Sequence, residues 1–243
     1  MKRLLLLAGV ILLVATGARC RDSHGTTHYA GVYISLGDSV AAGNGSSDKN
    51  ATSYAAVLAR DEGNLELRNY AVAGATTKDV IDKQLPQLLA VDAEIAFITI
   101  SVGGNDLAAL IPNAACRDEP LPAACPLDDA LRGVEARYSD LVQQLRAAHP
   151  GTPIVLLAYP NFFSGTGHPF EAPAARVLPR LDDVIRAVAA KYPHTGVADA
   201  APPFEGNGRT LTHVLDTQFD PHPTDAGHRL IADAFIAALA AVP

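Results

Sequence analysis

A three-layer α/β/α sandwich, with five parallel strands between two layers of helices, is the fold class this sequence predicts. Three observations carry it. Runs of β-branched and other apolar residues at 32–36, 65–70, 95–101, 153–159 and 195–200 alternate with stretches of helical period. Parallel neighbours need a crossover, and a helical, right-handed crossover covers the faces of the sheet. Glycine-punctuated segments stand directly after the first three runs, where an open sheet keeps its binding crevice. Finally, 243 residues of which 49% are hydrophobic are enough for one sizeable core.

The elements follow in order. Lys2-Arg3, an apolar stretch from Leu4 to Val14 and the small residues Ala15 to Ala18 read as an export signal over 1–18, since the stretch is short for a membrane span. An uncleaved anchor is the lesser reading. A flexible segment, 19–30, leads into one domain, 31–243. Cys20 lies near the cleavage region, but Arg19 before it is unsuited to lipid attachment, and a tail thiol is the simpler reading. His24 and His28 have the spacing of paired metal ligands without a third ligand nearby, so no metal or cofactor is expected.

The first strand, 32–36, hands over to Gly37-Asp38-Ser39. A helix at 54–61 leads to the strand at 65–70 and then to Asn69 through Gly74. A helix at 79–89 leads to the strand at 95–101 and then to Gly103-Gly104-Asn105-Asp106. Helices at 127–148 and 174–192 flank the strand at 153–159, and the strand at 195–200 precedes a last helix at 225–242. That helix carries Leu230, Ile231, Ala234, Phe235, Ala238 and Leu239 at three- and four-residue spacing. His222 stands just before it. Cys116 and Cys125 bracket a proline-containing loop, and an oxidising compartment favours a disulfide between them.

These segments can assemble an acyl-transfer site. Such chemistry needs a nucleophile, a base within hydrogen-bond reach and donors aimed at the oxygen that becomes negative. Ser39 and His222 are the candidate nucleophile and base. The Ser39 N–H, the Gly74 N–H and the Asn105 amide are the candidate oxyanion donors. Asp38 and Asp106 read as hydrogen-bond partners bracing the rim, and His228 as structural. Ser39 taken alone would as readily cap a helix, and Gly74, Asn105 and His222 could each be loop residues; their joint order makes the site. A phosphate-binding loop is disfavoured because no Gly-Lys-Ser/Thr follows Gly37 to Gly45. The net charge of −7, without a basic cluster, argues against nucleic acid.

The four blocks resemble the GDSL-type, or SGNH, hydrolases, whose namesake serine, glycine, asparagine and histidine match Ser39, Gly74, Asn105 and His222 across residues 32 to 240. The resemblance implies a flavodoxin-like sandwich, metal-free ester hydrolysis and the oxyanion donors just named. One position departs from the pattern. The aspartate usual three residues before the histidine is Phe219 here, and the carboxylate stands at Asp220. Asp220 is expected to orient His222 through its Nδ1 side. Asp216 and a backbone carbonyl near Gln218 are the alternatives.

Tyr159 to Phe163 would bring aromatic surface to the rim, and 107–128 and 164–173 are the expected lid or specificity loops. Short-chain esters or lysolipids suit such a pocket. The absence of tryptophan lowers the case for a polysaccharide esterase. The leading reading is an exported serine ester hydrolase with a small-molecule or lipid ester substrate and no membrane span after cleavage. An acyltransferase using the same acyl-enzyme and a non-catalytic binding module are the alternatives.

Overall fold

The computed structural model describes residues 19–21, 27–110, 113, 116 and 124–243. The expected signal, 1–18, and His24 lie outside the described residues, as do much of the 107–128 loop and the side chains of Cys20 and His28. A short antiparallel pair, β1 (Arg19–Arg21) and β2 (Thr27–Tyr29), stands where the sequence reads as a flexible lead-in. Five strands then form one parallel sheet: β3 (Val32–Gly37), β4 (Glu66–Asn69), β5 (Ile95–Ser101), β6 (Ile154–Ala158) and β7 (Thr195–Asp199). Each lies within one residue of its expected bounds.

Spatial order is β4-β3-β5-β6-β7. The chain therefore starts inside the sheet, moves to one edge, and crosses back over β3 to build the other side. That reversal opens a crevice at the carboxyl ends of β3 and β5, the position where open α/β sheets of this flavodoxin-like order bind ligands. The inner strands β3, β5 and β6 are buried along their whole length, as expected when both faces are covered. Edge strand β4 is partly exposed, which accounts for its charged Glu66 and Arg68.

The helices are α1 (Tyr54–Asp61), α2 (Thr77–Asp79), α3 (Leu85–Leu89), α4 (Gly104–Leu107), α5 (Leu127–Ala148), α6 (Glu171–Ala189), α7 (Ala201–Phe204), α8 (Gly208–Leu211) and α9 (Asp225–Ala241). On one face Ile34, Leu36, Ile98, Ile100 and Leu156 pack with Leu88, Leu141, Leu145, Leu181 and Ile185 of α3, α5 and α6. On the other, Tyr33, Phe97, Val155 and Leu157 pack with Leu58, Ile231, Phe235 and Leu239 of α1 and α9. Alternate residues of each strand feed opposite cores, the two-residue period of a pleated strand. Ser53 and Thr224 cap α1 and α9 by accepting from Ala56 N and Gly227 N.

The helix expected over 79–89 is interrupted. Between α2 and α3 a π turn, Val80–Gln84, widens the helix and buries Gln84. Its side-chain amide donates to Gly37 O and accepts from Gly37 N, both at 2.8 Å. The extra residue thus delivers a polar clamp to the end of β3, a common use of π turns near functional sites. Helix α6 begins at Glu171, three residues before its expected start, because the Glu171 carboxylate accepts from Gly165 N at 2.6 Å and Gly167 N at 2.7 Å. Cys116 and Cys125 are disulfide-bonded. Among the described residues no helix is long and apolar enough to cross a membrane.

Candidate active site

The loop after β3 is anchored before it reaches Ser39. Gly37 has φ +142°, and a Cβ there would lie 2.0 Å from Ser101 O, so only glycine lets β3 pass this close to β5. Asp38 N then donates to Ser101 O at 2.9 Å. The Asp38 carboxylate is buried, accepting from Val40 N at 3.0 Å and from the Tyr159 hydroxyl at 2.6 Å. Burial pushes Asp38 up to about 6 despite these hydrogen bonds. Ser39 opens a run of turns, and Asn44 N donates to its carbonyl at 2.9 Å. The next helix, α1, starts at Tyr54 and is capped by Ser53, so Ser39 caps no helix.

Two further loops meet it. Gly74 has φ +82°, a conformation that side chains resist, although the space beside it is open. Among the described residues no acceptor takes the Ser39 or Gly74 N–H. The Asn105 side-chain amide donates one N–H to Ala75 O at 3.0 Å, which leaves its second N–H. Asp106 ties these loops together: its carboxylate accepts from Thr77 N at 2.9 Å, Thr77 Oγ1 at 2.6 Å and Arg137 Nη2 at 3.0 Å. Asp38 and Asp106 thus both brace the rim.

His222 arrives on the segment before α9. Its backbone N donates to Asp220 Oδ1 at 3.0 Å, and the Nδ1 side of its ring meets the same oxygen. The two-residue offset is therefore short enough for the carboxylate to turn back onto the ring. Burial works against the Asp220 charge, but the His222 N–H and ring outweigh it and hold the carboxyl below its ordinary range. Asp216, the alternative orienter, instead meets His213 Nδ1 at 2.7 Å, while His213 Nε2 faces Gly45 O at 2.9 Å. His228 is fully buried, with Nε2 2.9 Å from Asn44 O and Nδ1 accepting from Tyr54 N at 3.3 Å. It staples the Ser39 loop to α1 and α9.

Ser39, Gly74, Asn105 and His222 line one cavity of about 460 Å³. Its remaining wall is largely apolar, with Tyr159, Pro160, Phe162, Phe163, Phe170 and Phe219. Asp220 lies behind His222, on a separate polar groove. Among the described residues no hydrogen bond joins Ser39 Oγ to the imidazole, a contact that often tightens only with substrate present. The sequence reading missed Gln84, the Tyr159–Asp38 bond and the buried Tyr159–Ser101 contact of 3.2 Å. Gln84 follows Asp82-Lys83 and precedes Gln87, so nothing in the local sequence singles it out as a buried residue. Nothing local marks the other two.

The GDSL-like lipase/acylhydrolase family model matches residues 35–230. A lipase from Streptomyces rimosus is 25% identical over 224 residues, spanning 80% of this chain and 81% of the relative. The crystal structure of phospholipase A1 from Streptomyces albidoflavus superposes with a TM-score of 0.68 at 25% identity, over 86% of this chain and 99% of the other. The extracellular lipase of Streptomyces rimosus has the same fold, with a TM-score of 0.66 at 24% identity over 86% of this chain and 100% of the other. With the family blocks gathered around one crevice, the chain belongs to the GDSL-like lipase/acylhydrolase family and is a carboxylic ester hydrolase.

Proposed function

We propose that the chain is an exported serine esterase that forms an acyl-enzyme on Ser39. The observation that carries the reading is the Asp220 carboxylate on the Nδ1 side of His222, with the imidazole and Ser39 on one cavity. With Nδ1–H directed to the carboxylate, Nε2 is left as the lone-pair base. It takes the Ser39 proton as Oγ attacks the ester carbonyl, and returns it to the leaving alcohol. The Ser39 and Gly74 N–H groups and the free N–H of Asn105 stabilise the oxyanion. Water, activated by the same imidazole, then releases the acid.

An apolar cavity of about 460 Å³ suits short-chain or lysolipid esters. A phospholipase A1 and a lipase among the similar proteins support an acyl-glycerol class of substrate. Export is supported by the apolar segment at 4–14, by the Cys116–Cys125 disulfide and by a similar protein described as extracellular. Covalent labelling by an organophosphonate tests the nucleophile: one adduct at Ser39 and loss of ester hydrolysis in Ser39→Ala are expected. No adduct, together with full activity of Ser39→Ala, overturns the reading.

A further inference from the structure

The cavity wall holds a four-ring cluster that the chemistry above does not use. Phe163, His168 and Phe219 lie nearly parallel, with centroids 5.2 Å (Phe163–His168), 5.0 Å (His168–Phe219) and 6.2 Å (Phe163–Phe219) apart. Phe170 meets all three edge-on. Offset and edge-on contacts of this kind are favourable ring geometries. Three of the rings, Phe163, Phe170 and Phe219, face the cavity that Ser39 and His222 line. His168 stands behind them.

The two sides of the cluster are held very differently. On the 163–170 side, Arg209 Nε and Nη2 donate to Gly165 O and Thr166 O at 2.9 and 2.7 Å. The Glu171 carboxylate takes two backbone N–H groups of the same loop, and Phe170 N donates to His168 Nδ1 at 3.1 Å. On the other side, Leu215 to Phe219 are all exposed. Among the described residues no hydrogen bond holds Thr217, Gln218 or Phe219. Phe219 is 52% exposed, so its ring contacts are what keep it on the wall.

We propose that Phe219 is a specificity-determining residue: with the fixed Phe163/Phe170 wall it forms a closable acyl-chain site, which favours esters whose acyl chains are long enough to lie against its ring. The proposal rests on the Ser39 ester-hydrolase reading. An acetyl group has a single methyl to offer this wall of the shared cavity, whereas an eight-carbon chain has methylenes to bury on it. Placing a phenyl group beside Asp220 couples the acyl wall to the segment that carries His222, without altering the bonds of the imidazole.

The test compares kcat/KM for p-nitrophenyl octanoate and acetate in the wild type, Phe219→Ala and Phe219→Leu. The octanoate-to-acetate ratio is expected to fall about tenfold in Phe219→Ala, mainly through KM, and about threefold in Phe219→Leu, which keeps apolar bulk but lacks the ring. An unchanged ratio in both variants overturns the proposal. So does equal loss on both esters, which would make Phe219 a support for Asp220 instead. If Phe219→Ala does not fold, Phe219→Leu carries the comparison. Phosphonate labelling of wild-type Ser39 separates the failures: labelling with an unchanged ratio removes the acyl wall alone, and no labelling removes the nucleophile and the wall with it.

Discussion

Replacing Asp220 by asparagine isolates the charge beside His222 from the hydrogen bonds it makes. Asp220 Oδ1 accepts both the backbone N–H and the Nδ1 side of the ring, so an amide can keep its oxygen in the same place. The tautomer need not invert, in contrast to buried triads where this change costs about 10⁴-fold in kcat. What remains is lost charge. At about 4 Å a unit charge is worth between about 1 kcal/mol in water and about 4 kcal/mol at the effective dielectric of a protein surface. The Asp220 side chain is 41% exposed and that of His222 20%, which places the pair between these limits. A barrier increase of about 2 kcal/mol follows, roughly thirtyfold in kcat. Asp220→Ala should cost more, because it also strips the acceptor from His222 N. Steady-state hydrolysis of p-nitrophenyl butyrate, with melting temperatures to confirm folding, measures both. If both variants stay within about twofold of wild type, Asp220 does not orient the base; a loss near 10⁴-fold in Asp220→Asn would refute the retained-oxygen geometry.

Two further outcomes test the framework under the site. Gly37→Ala should lose about 3 kcal/mol or more in urea denaturation, because its Cβ would lie 2.0 Å from Ser101 O at a left-handed φ; a loss below about 0.5 kcal/mol would show that β3 and β5 can part freely. Asp38→Asn should change stability in a pH-dependent way: the buried carboxyl is raised to about 6, so its contribution is fully present below its unfolded value and is lost as pH rises through 6. Relative to wild type the variant should therefore gain up to about 3 kcal/mol between pH 4 and pH 8, and a stability difference that does not vary with pH would contradict the burial of a charge there.

The architecture was legible because its determinants are local. Near-continuous apolar runs such as Ile95 to Ile100, interrupted only by Thr99, mark strands covered on both faces, and the spacing of Leu131, Val134, Tyr138 and Leu141 marks a helix that buries one side. That β4, with Glu66 and Arg68, lies at an edge came only from the strand order of the folded sheet. Helix 79–89 misled because its apolar spacing is helical throughout, while its hydrogen bonding shifts by one residue to turn Gln84 toward Gly37. No local period records that demand, which comes from a strand 47 positions away.

By itself the sequence determined which chemistry was available: a serine, a glycine, an asparagine and a histidine in four ordered blocks, each at an element boundary. It also determined the alternation that makes the sheet parallel. Only the tertiary structure decided how these groups meet. The order β4-β3-β5 sets the Ser39 and Asn105 loops on one crevice, and Asp220 turns onto His222 while Asp216 goes to His213. Phe219, which occupies the position of the usual aspartate, stacks on His168 and Phe163 instead. The physical reason is that periodicity and turn chemistry act over a few residues. The partner of a side chain, in contrast, is chosen by burial and by the direction in which chain-distant segments happen to converge.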